Sequence, residues 1–149
     1  MSEAMTAHEI TLTRVFDAPR QLVWNAWTVP EQLAAWWGAP GWTTPAERIA
    51  VDLRPGGAMR LTSVHDDDGA EMTTVGVFRE VVEPERLAFE EAAADSWHDG
   101  AESVVTFTDL GDGRTEMVMR ATIHTSDELR ATAERGLSGA LDRLAAVLS

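Results

Sequence analysis

Residues 14–37 read R-V-F-D-A-P-R-Q-L-V-W-N-A-W-T-V-P-E-Q-L-A-A-W-W, and residues 52–57 read D-L-R-P-G-G. The first block is a strand that ends at Asp17, followed by two short helices, each opened by a proline whose locked φ suits a first helical turn, Pro19 and Pro30. The second block is a strand that runs into a tight hairpin. There Pro55 presets the turn, and Gly56 with Gly57 can supply the positive φ that such turns demand.

After these blocks the apolar residues recur at every second position, the period of strands with one buried face. Ile10, Leu12 and Phe16 alternate in the first strand, Ile49, Val51 and Leu53 in the second, and Met59 and Leu61 in the third, which ends at the turn Asp66-Asp67-Asp68-Gly69. Met72 to Val82 and Arg86 to Glu91 form the next pair, with a corner at Glu83-Pro84-Glu85, because proline cannot continue a sheet ladder. Residues 92–100 read as a loop, Glu102 to Thr108 as a strand, and Arg114 to Ile123 as the last strand.

The period then changes. From Thr125 to Leu148, Leu129, Ala133, Leu137, Ala140, Leu141, Leu144 and Leu148 define one apolar stripe at helical spacing. Thr125 with Glu128 three residues on reads as a capping box at the helix start. Gly136 and Gly139 interrupt this helix at roughly 1 kcal/mol each relative to alanine, which calls for something that approaches its backbone closely.

A chain of 149 residues reads as one domain, 1–149. Its 25 acidic and 12 basic residues give a net charge of −13, a surface that repels nucleic-acid phosphates and anionic lipid headgroups, so no nucleic-acid partner is expected. Every basic residue is arginine, and lysine, cysteine and tyrosine are absent, which removes Schiff-base, thiol, disulfide and phenol chemistry. The N-terminus lacks the basic region and apolar run of a secretory signal, and no segment approaches about 18 uninterrupted apolar residues, so a cytoplasmic protein without membrane insertion is expected.

The two opening blocks, and matches at Arg14, Phe16, Ala18, Pro19, Val23, Trp24, Trp27, Leu33, Trp36, Trp37, Asp52, Arg54, Pro55, Gly56, Gly57, Gly76, Pro84, Leu87, Thr115 and Gly136, closely resemble the activator of heat-shock-protein ATPase homologue family. That family is a branch of the START-like, SRPBCC or polyketide-cyclase-like superfamily. The chain departs from the pattern at Val29, where an aspartate is usual, and at Leu137, where an aromatic residue is common. The resemblance implies an α+β helix-grip fold of the START-like, Bet v 1-like kind: an antiparallel sheet of six or seven strands, two short helices, and a long C-terminal helix across the concave face. It also implies a pocket between sheet and helix, and a possible chaperone partner, the 90-kDa heat-shock protein.

Six tryptophans are the main compositional anomaly. Trp24 and Trp27, three apart on one helix, read as residues that seat it on the sheet. Trp36, Trp37 and Trp42 fall where the resemblance puts the pocket mouth, with Trp97 on the opposite loop. Alternation places Met117 and Met119 on one face. If that face is concave, Met59, Leu61, Thr74, Phe78, Phe89, Val105 and Phe107 join them, and Leu137 and Leu141 face them from the helix. Thioethers suit an irregular apolar lining. These residues are the candidate ligand contacts.

His65 beside Asp66 to Asp68, and His98-Asp99, lack the ligand spacing of a calcium loop or a zinc site, so no metal and no cofactor are expected. His98, read as an exposed loop residue, is a candidate general acid or base only for a cyclase-like enzyme. Arg14 and Asp52 read as a structural network about the hairpin, with anion recognition by Arg14 as the other reading. No nucleophile elbow or nucleotide loop is present. The expected function is therefore binding of a small lipophilic molecule rather than catalysis, with chaperone activation and polyketide cyclisation as the alternatives.

Overall fold

Alternating residues that must bury one face, followed by one long amphipathic stripe, resolve into a curled sheet closed by a helix. The computed structural model describes residues 5–38, 40–93 and 98–148. Strand β1 (Thr6–Phe16) leads into helices α1 (Arg20–Thr28) and α2 (Pro30–Leu33), a two-residue strand β2 (Trp42–Thr43), a short turn of 3-10 helix (Ala46–Arg48) and β3 (Ile49–Val51). Then follow β4 (Ala58–His65), β5 (Glu71–Val82), β6 (Arg86–Glu91), β7 (His98–Asp109), β8 (Thr115–Thr125) and α3 (Asp127–Leu148). The strands form one antiparallel sheet of eight in the order β1-β8-β7-β6-β5-β4-β2, with β3 also on β4. The helix-grip architecture expected from the sequence is present, one strand richer because β2 pairs through only Trp42 and Thr43.

Residues opposite one another in an antiparallel ladder share a face, so the register traces the concave surface strand by strand. Leu12 pairs with Met119, Met119 with Val105, and Val105 with Leu87. Ser103 pairs with Phe89, Phe89 with Phe78, Gly76 with Met59, and Thr74 with Leu61. Helix α1 sits on this face through Trp24, whose ring meets Phe107 edge-on at 5.9 Å. The crossing from β1 to α1 is pinned where Thr115 Oγ1 donates to the Ala18 carbonyl at 2.7 Å.

Helix α3 lies against β1 and reaches the loop after α2. Arg14 Nη2 donates to Ser138 Oγ at 2.8 Å and approaches Asp142 at 3.5 Å, so this arginine is spent on holding the helix. Asp52 pairs instead with Arg54, at 2.9 Å within the hairpin. At the far end Arg143 Nη1 donates to the Gly38 carbonyl at 3.0 Å. A Cβ on Gly139 would come within 3.1 Å of Pro40 Cγ, so the body that approaches this interruption of the helix is the proline ring.

The cap differs from the sequence expectation. Thr125 belongs to β8, paired with Thr6 and His98 and fully buried, so its backbone is committed to the sheet. Ser126 takes the role, its Oγ accepting from the Leu129 N–H at 3.2 Å. Replacing Ser126 by alanine is expected to cost about 1 kcal/mol in a urea unfolding curve, with the midpoint lowered and the slope unchanged.

Candidate functional site

Helix α1 turns Trp24 and Trp27 toward the concave face because residues three apart share one side of a helix. Trp27 becomes the centre of an aromatic group. Its ring lies 4.8 Å from Trp36, 6.5 Å from Trp37, 6.4 Å from Phe89 and 6.5 Å from Phe107. Trp36 is 1% exposed and donates its indole N–H to the Ala26 carbonyl at 2.8 Å, so it is an anchor between the helices.

Beneath this group is a small apolar void. Trp27 of α1, Leu33 of α2 and Trp37 cover it, Val51 and the β4 residues Met59 and Leu61 wall one side, and Phe78, Leu87 and Phe89 form the floor. The space open to the centre of a water-sized sphere is about 10 Å³, room for roughly one water molecule. It lies under α1 and α2, toward the β3 to β6 half of the sheet, and its lining includes no residue of α3. Trp27 Nε1 is buried without a hydrogen-bond partner among the described residues.

Of the candidate contacts, Trp37, Met59, Leu61, Phe78 and Phe89 border the void. Thr74 stands opposite Leu61 and is half-buried. Val105, Phe107, Met117 and Met119 continue the same face toward β1 as buried core, and Leu141 of α3 is buried while Leu137 is partly so. Trp42 is placed at the sheet edge, its ring 4.9 Å from His65 and outside the void lining. Trp97 lies outside the described residues. Sequence reasoning missed Trp27, Leu33, Val51 and Leu87 as lining. Leu87 and Val51 are readable, being one alternation from Phe89 and Ile49, whereas the spacing of Trp24 and Trp27 points only to residues that seat their helix.

The same alternation leads from Leu87 and Phe89 to Glu91. This carboxyl is mostly buried between Gly76 and Ala101 in the ladder, and burial pushes its pKa from the ordinary 4.5 up to about 7. It borders a separate, open hollow of about 420 Å³ at the sheet end, with Glu90, Asp99, Glu102 and His124 around it. His98, expected in an exposed loop, is instead 7% exposed in β7, where a bulge at residues 98–101 turns it inward. Burial lowers its pKa, and its Nδ1 accepts from the Gly100 N–H at 2.9 Å, a bond that only unprotonated nitrogen makes. Among the described residues no helix is long and apolar enough to cross a membrane.

Solved structures share this architecture. A protein from Chromobacterium violaceum superposes with a TM-score of 0.81 at 24% identity, over 94% of this chain and 96% of that one. One from Mycobacterium smegmatis gives 0.75 at 26%, over 95% and 90%. The protein named AHSA1 from Silicibacter pomeroyi gives 0.79 at 19%, over 95% and 97%. Among curated proteins none matches. The hairpin, the strands from β2 to β8 and the closing helix all fall within residues 17–149, which match the family described as Activator of Hsp90 ATPase homolog 1-like protein, and the chain belongs to that family.

Proposed function

We propose that this chain binds a small apolar molecule between the concave face of the sheet and the cover formed by α1, α2 and the loop that follows. The observation that carries this reading is the void: its lining is aromatic, thioether and aliphatic, and it sits between the long ladders of the sheet and short elements that cover them. A guest larger than one water needs that cover to move outward. The cover is suited to it, since α2 has four residues, β2 pairs through two, and the connecting loop turns at Gly38 and Gly41 with φ of 113° and 90°. Short elements with few ladder bonds open locally at low free energy, whereas the long ladders from β5 to β8 stay shut. Met59 and Trp37 border the opening, one adaptable in shape and the other half-buried at the rim.

The test is a titration of the isotope-labelled protein with naphthalene, followed through the tryptophan indole signals. Saturable shifts at Trp27 and Trp37, with Trp42 unmoved, are expected. No saturable change up to the aqueous solubility of naphthalene, with acetophenone and α-methylstyrene equally silent, would overturn the reading. The family's name supports a second proposal, contact with Hsp90, for which stimulation of that chaperone's ATPase by the purified chain is the measurement.

A further inference from the structure

We infer that the guest of this site is a neutral apolar molecule carrying a hydrogen-bond acceptor, such as a ketone, ester or ether oxygen, and that the Trp27 indole N–H reads that acceptor. The inference rests on the interior site proposed above and adds its selectivity. Buried polar side chains elsewhere in the fold are matched: Trp36 to Ala26, Thr28 to Trp24, Thr115 to Ala18, and Thr44 to Ser63. Against that background Trp27 Nε1 is the buried side-chain atom left without a partner among the described residues. Native folds rarely leave a buried donor unmatched, and the exceptions call for a reason.

The ring cannot escape to find one. It is 4% exposed and held by Trp36, Trp37, Phe89 and Phe107 on its sides, so its N–H stays inside. The same ring borders the void. A donor fixed beside an apolar hollow favours a guest that carries an acceptor over one that does not, because only the former pairs the N–H in a dry setting. Charged guests are excluded as well, since the lining offers no counter-ion to offset desolvation.

Acetophenone and α-methylstyrene differ only by an oxygen in place of a methylene, and they supply the test. Trp27→Phe keeps an aromatic body and removes the donor. The variant is expected to bind acetophenone about tenfold more weakly than wild type while α-methylstyrene changes by less than about twofold, a double difference that cancels the unequal hydration of the two compounds. In the wild-type protein the Trp27 indole proton moves downfield with acetophenone and not with α-methylstyrene. Equal losses for the two compounds, or an unmoved indole proton in the acetophenone complex, would overturn the inference while naphthalene binding leaves the interior site standing. If Trp27→Phe does not fold, the wild-type indole proton alone decides. Silence from all three compounds removes the interior site itself, a failure distinct from loss of selectivity.

Discussion

Gly57→Ala is expected to lower the unfolding free energy by about 3 kcal/mol or more, read from urea unfolding. A Cβ at this position would overlap the Asp52 carbonyl oxygen, and the Arg54 carbonyl would be 3.0 Å away. Neither oxygen is free to retreat. The Asp52 carbonyl accepts from Arg54 N at 2.9 Å, the Arg54 carbonyl accepts from Gly57 N at 2.8 Å, and the turn is tied to β5 by Gly56 N to Phe78 O at 2.8 Å and Phe78 N to Gly57 O at 2.9 Å. The overlap must therefore be relieved by breaking the hairpin that sets Val51 opposite Met59 at the wall of the void. Gly56→Ala is the internal control. Nothing obstructs a Cβ there, but φ is 83°, so only the left-handed conformation is penalised, at about 1 kcal/mol. Equal effects for the two glycines would contradict this account.

The second large effect depends on pH. The Glu91 pKa is raised by burial from 4.5 to about 7, so between those values the folded state holds a proton that the unfolded chain has released. The contribution of this group to stability is then fully present below about pH 4.5, is lost as pH rises through the window, and is absent above about 7. Glu91→Gln removes the charge that has to be buried. The variant is expected to match wild type near pH 4 and to exceed it by about 2 to 3 kcal/mol at pH 8, allowing for the part of the side chain that reaches solvent. Unfolding curves at the two pH values check this, and a difference independent of pH would refute the assignment.

The curled sheet was legible because alternation is a local signal. Met59, Leu61, Phe78, Phe89, Val105, Phe107, Met117 and Met119 all occupy the concave face, as their spacing within each strand and the ladder register agree. The hairpin at residues 52–57 was equally local. What was not legible depended on partners far along the chain. Trp24, Trp27, Trp36 and Trp37 are close in sequence, yet which of them caps a carbonyl and which borders a void is decided by where Ala26, Phe89 and Phe107 arrive. His98 looked exposed because residues 92–100 lack alternation, and a bulge whose Gly100 takes φ 121° turned it into the interior. Ser126 replaced Thr125 as the cap because β8 runs on to meet β1 and β7.

The notch at Gly139 joins the C-terminal helix to the neighbouring loop. The Pro40 ring occupies the space that a side chain at residue 139 would need, so Gly139→Ala would press directly on this loop. Arg143 of the same helix holds the Gly38 carbonyl, so the C-terminal helix fastens both sides of the loop beside the tryptophan cover.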